Sequence, residues 1–477
     1  ARRRQRFVTH QPRRWWLGVL AALPILALVA VTIAALRPSR QIEPPAPMAS
    51  VEAAIDIARQ AESPVPRASP TASATATPTP TEPPTATVCA TSCPTAGSTV
   101  PTLTPASPTP PTLPTAEPVP ELQSTLDGTV ASLWRWRAQA TLDAMDRTFA
   151  VSGSSLYRER YGIDAMFDVA FLWPMTQVVA CHIDMAQVRG TLVTAGDVRR
   201  ISKATEAYYD DTREPPAFSS YLAPPVGWLS DRYYDDNVWL GIELMRTWQL
   251  TGDPLALARA NEIFDFLITG WDTEGPAPGG IFWVEGNSNS DRGTTTTGTG
   301  ALLGLMLYQA LPPGPRATYV LDWATKMYAW VYETLETSDG LFRDHVRPDG
   351  TIDYAPYSYN QGAMIGANLE LYRLTGDALF LDRAERTAHA TLELTKDHEI
   401  SAQEISFNGI FFWFLLQLDD VRPAPEYRDR LLTYAEQLWE DQRNPDTGLA
   451  TTSAPLTLLD QAAMVRVFAL AAVAAGR

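Results

Sequence analysis

A fifteen-residue segment occurs twice in this chain. Leu250-Thr-Gly-Asp-Pro-Leu-Ala-Leu-Ala-Arg-Ala-Asn-Glu-Ile-Phe is matched by Leu374-Thr-Gly-Asp-Ala-Leu-Phe-Leu-Asp-Arg-Ala-Glu-Arg-Thr-Ala, and weaker copies run through Tyr319 to Trp330 and Tyr427 to Trp439. Their shared alanines, Ala260, Ala324, Ala384 and Ala435, lie 64, 60 and 51 residues apart. A period of that size holds one helical hairpin with its loops. From about residue 121 to the end the apolar spacing is helical throughout, broken by Gly, Pro and Asp turns. Dividing that region by the period gives about six hairpins, the number that closes an (α/α)6 barrel; an open solenoid is the other arrangement such a repeat allows.

The stretch Ser230-Asp231-Arg232-Tyr233-Tyr234-Asp235-Asp236-Asn237-Val238-Trp239 puts two adjacent carboxylates where a loop becomes a helix, because Val238, Ile242, Met245 and Trp248 follow at helical spacing. Neighbours on a first turn point about 100° apart, so both carboxyls can face one cleft above the turn's free N–H groups. Glycoside hydrolysis uses such a pair, one carboxylate to attack or to activate water and one carboxylic acid to protonate the leaving oxygen. An N-cap is the simpler reading of one aspartate. A single cap does not account for three aspartates with Tyr233, Tyr234 and Trp239 among them. Asp231, Tyr234 and Trp239 are therefore candidates for sugar contact, with core packing as the alternative for Trp239. The tetrapeptide recurs as Tyr208-Tyr209-Asp210-Asp211, but Pro215 and Pro216 follow, and this copy reads as a surface turn.

The N-terminal quarter is built differently. Residues 1–40 carry eight Arg and no acid, and Trp15 to Leu36 is an uncharged run of 22 residues, long enough to span a bilayer. The arginines before it place residues 1–14 in the cytoplasm and all that follows the span outside; a cleaved signal peptide is the alternative. Residues 37–120 form a Pro/Thr/Ser-rich linker, with 19 of the 39 prolines between 41 and 120 and no Phe, Trp or Tyr there. Such a composition cannot bury a core and predicts a disordered spacer. Cys89 and Cys93 within it suit a small local disulfide, and Cys181 a buried core thiol. The remaining domain spans 121–477.

The net charge is -16, and -24 without the basic N-terminus, which disfavours nucleic acid as a partner. The sequence has no Gly-rich phosphate loop, no His-x-x-x-His and no Cys-x-x-Cys, and its five histidines are scattered, so no metal or cofactor is expected.

Asp-Arg-Tyr-Tyr-Asp-Asp-Asn-Val-Trp-Leu (231–240), Gly-Gly-Ile-Phe-Trp (279–283) and Tyr-Ser-Tyr-Asn-Gln-Gly-Ala (357–363), with Phe171-Leu-Trp-Pro, Phe407-Asn-Gly-Ile-Phe and Leu459-Asp-Gln-Ala-Ala-Met, resemble glycoside hydrolase family 76 in the family's order. The resemblance covers about residues 125–477, and it is the motifs together that are specific. It implies an (α/α)6 barrel and a retaining endo-α-1,6-mannanase, with Asp235 as nucleophile and Asp236 as general acid/base. Tyr359, Asn360 and Gln361 match a motif that lines the cleft, and Trp283 would offer a stacking face. Two departures bear on subsite preference: Arg292-Gly-Thr-Thr-Thr-Thr-Gly-Thr stands where many members carry a Ser-Asn-containing stretch, and Asn408 and Trp413 stand at cleft-bordering positions where the family often has basic residues.

The expectation is a membrane-anchored, single-pass, outward-facing monomeric enzyme that cuts mannan-type polysaccharide. A transglycosylase of the same architecture and a carbohydrate-binding barrel without turnover are the alternatives.

Overall fold

The repeated Leu-Thr-Gly-Asp is the turn between two antiparallel helices. Helix α4 (Tyr234–Thr251) ends at Gly252 and helix α5 (Pro254–Thr269) is capped by Asp253; α8 (Ser358–Thr375) ends at Gly376 and α9 (Ala378–Leu394) is capped by Asp377. Both glycines have φ +69°, in the left-handed region, and neither would meet an atom within 4 Å if given a Cβ, so conformation rather than space selects glycine. The hydroxyls of Thr251 and Thr375 donate back to the carbonyls of Thr247 and Leu371, and accept the N–H groups of Asp253 and Asp377 at 3.2 and 3.1 Å. The Asp carboxylates then take the N–H of Leu255 and Leu379. Four residues thus end one helix and begin the next.

The structure, a computed structural model, describes residues 130–162, 168–274, 277–286, 291–396 and 399–477. The expected membrane span at 15–36, the linker at 37–120 with Cys89 and Cys93, and His398 lie outside these residues. The other helices are α1 (Val130–Phe149), α2 (Leu172–Gln187), α3 (Ala195–Ala204), α6 (Thr294–Ala310), α7 (Pro315–Leu335), α10 (Ile405–Val421), α11 (Pro425–Asp441) and α12 (Leu458–Ala475). The even-numbered six pack side by side in the order α2, α4, α6, α8, α10, α12 and back to α2, a closed ring; α3, α5, α7 and α9 lie outside α2, α4, α6 and α8, α11 packs against α12 and α10, and α1 packs against α12. The ring closes the barrel and excludes the open solenoid. The repeat alanines Ala260, Ala324, Ala384 and Ala435 sit on four outer helices and are fully buried. Small residues there let inner and outer helices approach: a Cβ on Gly304 of α6 would lie 2.7 Å from that of Ala324 on α7.

Helix α12 is long and apolar enough to cross a membrane by composition, but it is an inner helix of the ring, and 78% of it is buried by the protein itself. Cys181 is free and buried, as expected. On the ring's inner side, well below the helix N-termini, Arg246 pairs with Glu243 at 2.7 Å and with Asp184, and Arg466 pairs with Asp184 at 2.9 Å. These four buried charges cancel, and Arg246 and Arg466 lie 4.0 and 5.4 Å from the ring centre of Trp413. Trp413 is therefore core, not a border of the cleft.

Five inner helices are fastened in one way. The fourth residue of each is polar, buried, and bonded to backbone of the incoming chain. Asn237 of α4 accepts the Phe218 N–H and donates to the carbonyls of Phe218 and Tyr233, each at 2.8 Å. Gln361 of α8 does the same for Phe342, at 2.8 Å both ways, and donates to Tyr357 at 3.1 Å. Gln461 of α12 brackets Ala450, Thr297 of α6 accepts the Ile281 N–H, and Asn408 of α10 donates to the Ile400 carbonyl and to the Tyr434 hydroxyl. Asn408 thus belongs to this fastening and does not border the cleft. Buried backbone groups need such partners, and these side chains supply them where loops meet helices.

Short strands complete the same end. β1 (Tyr209–Asp210) pairs with β2 (Ala217–Phe218), and β3 (Arg292–Gly293), β4 (His345–Val346) and β5 (Ile352–Asp353) form an antiparallel sheet. The second Tyr-Tyr-Asp-Asp copy is accordingly no surface turn. Asp210 is buried in β1 and accepts Arg213 Nε at 2.6 Å, while Arg213 also reaches the Ser230 carbonyl and Glu285. The run from Arg292 enters β3 and then, from Thr294, helix α6.

Candidate active site

Helix α4 begins one residue before the paired acids. Its N-cap is Tyr233, in extended conformation and without a capping side chain, so Asp235 and Asp236 are the second and third residues of the first turn and neither is the cap. The incoming strand is held twice, by the Asn237 clamp and by a partner: the Tyr234 N–H donates to the Trp283 carbonyl at 2.9 Å and the Glu285 N–H to the Arg232 carbonyl at 3.0 Å. This pairing brings the Trp283 indole to Asp235.

The two carboxyls are half-buried and differ in their partners. Asp235 Oδ2 accepts Trp283 Nε1–H at 2.7 Å, and Oδ1 accepts the backbone N–H of Asp236 at 2.8 Å. No described residue hydrogen-bonds the carboxyl of Asp236. Burial raises the pKa of Asp235, the Trp283 and Asp236 N–H donors pull it back, the charge of Asp344 pushes it up, and it stands at about 6. Burial raises Asp236 further, and the neighbouring charge of Asp235 adds to it, leaving it well above the carboxylate range. The pair therefore separates into a member that ionises first and a member that holds its proton.

One turn below Asp235, on the same face, lies Trp239. It is almost wholly buried, its Nε1–H donates to Thr295 Oγ1 at 3.3 Å, and its ring is 6.4 Å from Trp173 and 6.3 Å from Tyr359. The second residues of four consecutive inner helices, Trp173 of α2, Asp235 of α4, Thr295 of α6 and Tyr359 of α8, thus surround one indole. Tyr359 is also bonded to Thr295 and packs on Phe407 with ring centres 4.1 Å apart. Tyr357 completes that aromatic wall, 5.9 Å from Tyr359 and 5.6 Å from Phe407.

A third acid stands across from the pair. Asp344 accepts Asn360 Nδ2 at 2.8 Å and shares a 2.8 Å hydrogen bond with His345 Nδ1, and its charge reaches Asp235, Tyr357 and Tyr359. His345 lies between Asp344 and Asp291, whose Oδ2 is 3.6 Å from Nε2. Burial alone would lower the His345 pKa, but the bond to Asp344 and the charges of Asp344, Asp291 and Asp353 outweigh it, so it is raised.

Most residues expected from the sequence converge here, and two do not. Asp235 and Asp236 lie together, Trp239 is the floor, and Asn360 reaches the site through Asp344. Trp283 is a hydrogen-bond donor to Asp235 rather than a bare stacking face, with its ring edge against Tyr233 at 5.0 Å. Asp231 is exposed, and its charge is felt by Tyr233 along with those of Asp236 and Asp235. Tyr234 turns away into the core, stacked on Phe266 at 4.5 Å with its hydroxyl on Thr269; the first residue of the turn faces outward when the second faces the axis. Gln361 is spent on its clamp and has no group left for a sugar. Sequence reasoning did not single out Asp344 or His345, and marked Thr295 only as part of the run from Arg292. Asp344 carries no periodic signal, because it sits in a two-residue strand's approach, where local pattern is silent.

No group of three or more metal-ligating side chains occurs among the described residues. A helical barrel with a mouth at the N-termini of its inner helices, lined by aromatics and holding a carboxyl pair with separated pKa values, is the equipment of a glycoside hydrolase. The chain belongs to glycosyl hydrolase family 76, whose model matches residues 141–457. It is 27% identical over 239 residues to the mannan endo-1,6-α-mannosidase DCW1 of Saccharomyces cerevisiae, covering 46% of this chain and 50% of that protein; the DCW1 of Candida glabrata is 25% identical over 225 residues, covering 42% and 49%. The chain spans about half the length of these curated relatives. Among solved structures it superposes on a family 76 mannosidase from Bacteroides thetaiotaomicron with TM-score 0.62 at 24% identity, covering 72% of this chain and 98% of that one. An inactive aspartate-to-asparagine variant of an α-1,6-mannanase from Salegentibacter sp., in complex with α-1,6-mannotriose, matches with TM-score 0.56 at 21% identity, covering 72% and 99%. These structural likenesses are of fold.

Proposed function

We propose that this chain cleaves α-1,6-mannosidic linkages within mannan-type polysaccharide by a retaining double displacement. The unequal dressing of the two carboxyls carries the reading. In this reading Asp235, held by two N–H donors and ionising first, attacks the anomeric carbon, while Asp236, without a donor and beside that charge, keeps the proton that the glycosidic oxygen needs to leave. The first step forms the bond from Asp235 oxygen to C1, breaks the C1–O bond, and moves the Asp236 proton to the departing hydroxyl. Once Asp235 is an ester its charge is gone, which removes one cause of the raised Asp236 pKa, so Asp236 can then take a proton from water as that water attacks C1 and releases Asp235. Mannan as the substrate class rests on the family and on the mannan endo-1,6-α-mannosidases the chain is similar to.

Asp231, Trp239, Trp283, Tyr359 and Asn360 make up the cleft's contribution to binding and orientation in this reading, and the domain from 121 to 477 acts outside the cell membrane behind its anchor and linker.

The test is incubation of the full chain with linear α-1,6-mannan beside its Asp235→Asn variant, following products by chromatography and the first-formed anomer by NMR. Short oligosaccharides with retained configuration, from the wild type alone, are expected. Inverted products would remove Asp235 from the role of nucleophile, and chains longer than the substrate would make the enzyme a transglycosylase.

A further inference from the structure

The loop that leads to α4 carries an aromatic surface which the proposed chemistry does not use. Trp228 is 47% and Phe171 45% exposed, and between them lies Tyr221, 4.6 Å from Trp228 at an interplanar angle of 30° and 5.3 Å from Phe171. The group is held in place. Trp228 N–H donates to the Leu222 carbonyl at 3.0 Å, Gly227 N–H to Ala223, Ala223 N–H to Ala207, and Tyr221 N–H to Ser230 Oγ. The Leu222 carbonyl is so close to Gly227 that any Cβ there would collide with it at 1.9 Å. Phe171 is the N-cap residue of α2, and its N–H is fixed by Glu159 Oε2 at 3.0 Å. Large rings exposed on anchored backbone are a surface ready to bind rather than a collapsed loop tip.

Its position ties it to the cleft. Phe171 stands two residues before Trp173, which packs against Trp239 below Asp235. From the other side, Trp228 leads through Ser230 to the exposed Asp231, and Tyr233 senses the charges of Asp231, Asp236 and Asp235 together. The surface therefore continues the mouth of the barrel outward from the acid pair.

We infer that Trp228, with Phe171 and Tyr221, forms a remote subsite for a sugar unit of the same chain whose linkage lies over Asp235 and Asp236. An aromatic face offers the C–H face of a pyranose a stacking partner, and the Asp231 carboxylate at its edge accepts from ring hydroxyls; apolar area with a few placed acceptors is the chemistry of a carbohydrate site. The same carboxylate counts against a membrane as occupant, because the exposed Asp231 at the edge repels an anionic bilayer. The inference rests on the proposed mannan-cleaving activity and adds that the enzyme reads a chain beyond the units it cuts.

The experiment compares the full chain with its Trp228→Ala and Trp228→Phe variants on a ladder of linear α-1,6-manno-oligosaccharides and on polymer. Expected is a loss of about fivefold in kcat/KM for Trp228→Ala on long substrates, none on the shortest that the wild type cleaves, and recovery with Trp228→Phe. The length at which the loss sets in counts the units between platform and cleavage point. Equal loss at every length would overturn the subsite and leave Trp228 as a support of the acid-bearing loop. Unchanged kinetics with weakened binding to phosphatidylserine vesicles would overturn it in favour of a membrane contact. A wild type that cleaves none of the ladder would instead overturn the mannanase reading, and the subsite with it.

Discussion

Replacing Trp283 by Phe keeps the ring beside Tyr233 and removes one N–H, the one that Asp235 Oδ2 accepts at 2.7 Å. A hydrogen bond to a charged group contributes about 1.5–3 kcal/mol. Asp235 is half-buried, so water can stand in for part of the lost donor, and the lower end applies. At 1.36 kcal/mol per unit that is a rise of about one pKa unit. The direction is upward because the indole stabilises the carboxylate, not the acid. Asp235 would then ionise near 7 instead of about 6. At pH 6 the ionised fraction falls from about one half to about one eleventh, a loss of about fivefold in kcat/KM, while at pH 8 the two enzymes differ by about a tenth. The assay is the pH profile of kcat/KM on α-1,6-mannan between pH 4 and 9, read at its acid limb. An unmoved limb with the same loss at every pH would refute the reasoning, because the indole would then only pack.

Three further outcomes follow from the geometry. Asp236→Asn abolishes turnover, yet it should raise the melting temperature by about 2–4 °C at pH 7: the folded pKa is raised, so the native carboxyl costs stability as pH climbs from the unfolded value near 3.8 through the folded one. The gain should vanish below pH 4, and thermal melts at pH 3.5 and 7 check this. Gln361→Ala leaves the buried Phe342 backbone unpaired and should cost about 3 kcal/mol in denaturant unfolding with kcat of the folded fraction little changed; a raised KM at unchanged stability would restore its role as a sugar contact. His345→Asn should cost more stability at pH 6 than at pH 9. The folded pKa of His345 is raised above 6.5, so its contribution is complete below that value and lost as pH rises through the folded pKa, as unfolding curves at the two pH values would record.

The repeat was legible because its cause is local. Leu-Thr-Gly-Asp specifies a helix end, a left-handed glycine and a new cap within four residues, so its recurrence announces hairpins at whole-chain scale. The acid pair was legible for the same reason, with a helix start written in consecutive residues. What escaped was set by distance in sequence. Asp344 meets Asp235 only because β4 crosses to the mouth of the barrel, and nothing near Arg343-Asp344-His345 encodes that meeting. Tyr234 and Gln361 were misread where one residue's rotation decides between cleft and core: a motif marks a segment as near the site, but the helix turn assigns each side chain its direction. The second Tyr-Tyr-Asp-Asp was judged by its prolines, which do bar a helix, whereas the burial of Asp210 depends on Arg213 and on a loop more than seventy residues away.

Within a single turn of an inner helix, the second residue looks into the mouth and the fourth ties the incoming loop down. These duties fall on different side chains two positions apart, so they can change independently over evolutionary time. Around a fixed Asp235, Trp173, Thr295 and Tyr359 form a small alphabet in which diet can be rewritten, while Asn237, Thr297 and Gln361 hold the incoming loops in place. A lineage exploring new glycans could exchange the former without re-solving how the ring is assembled, and drift at the latter would be purged by misfolding before any change of substrate could be tried.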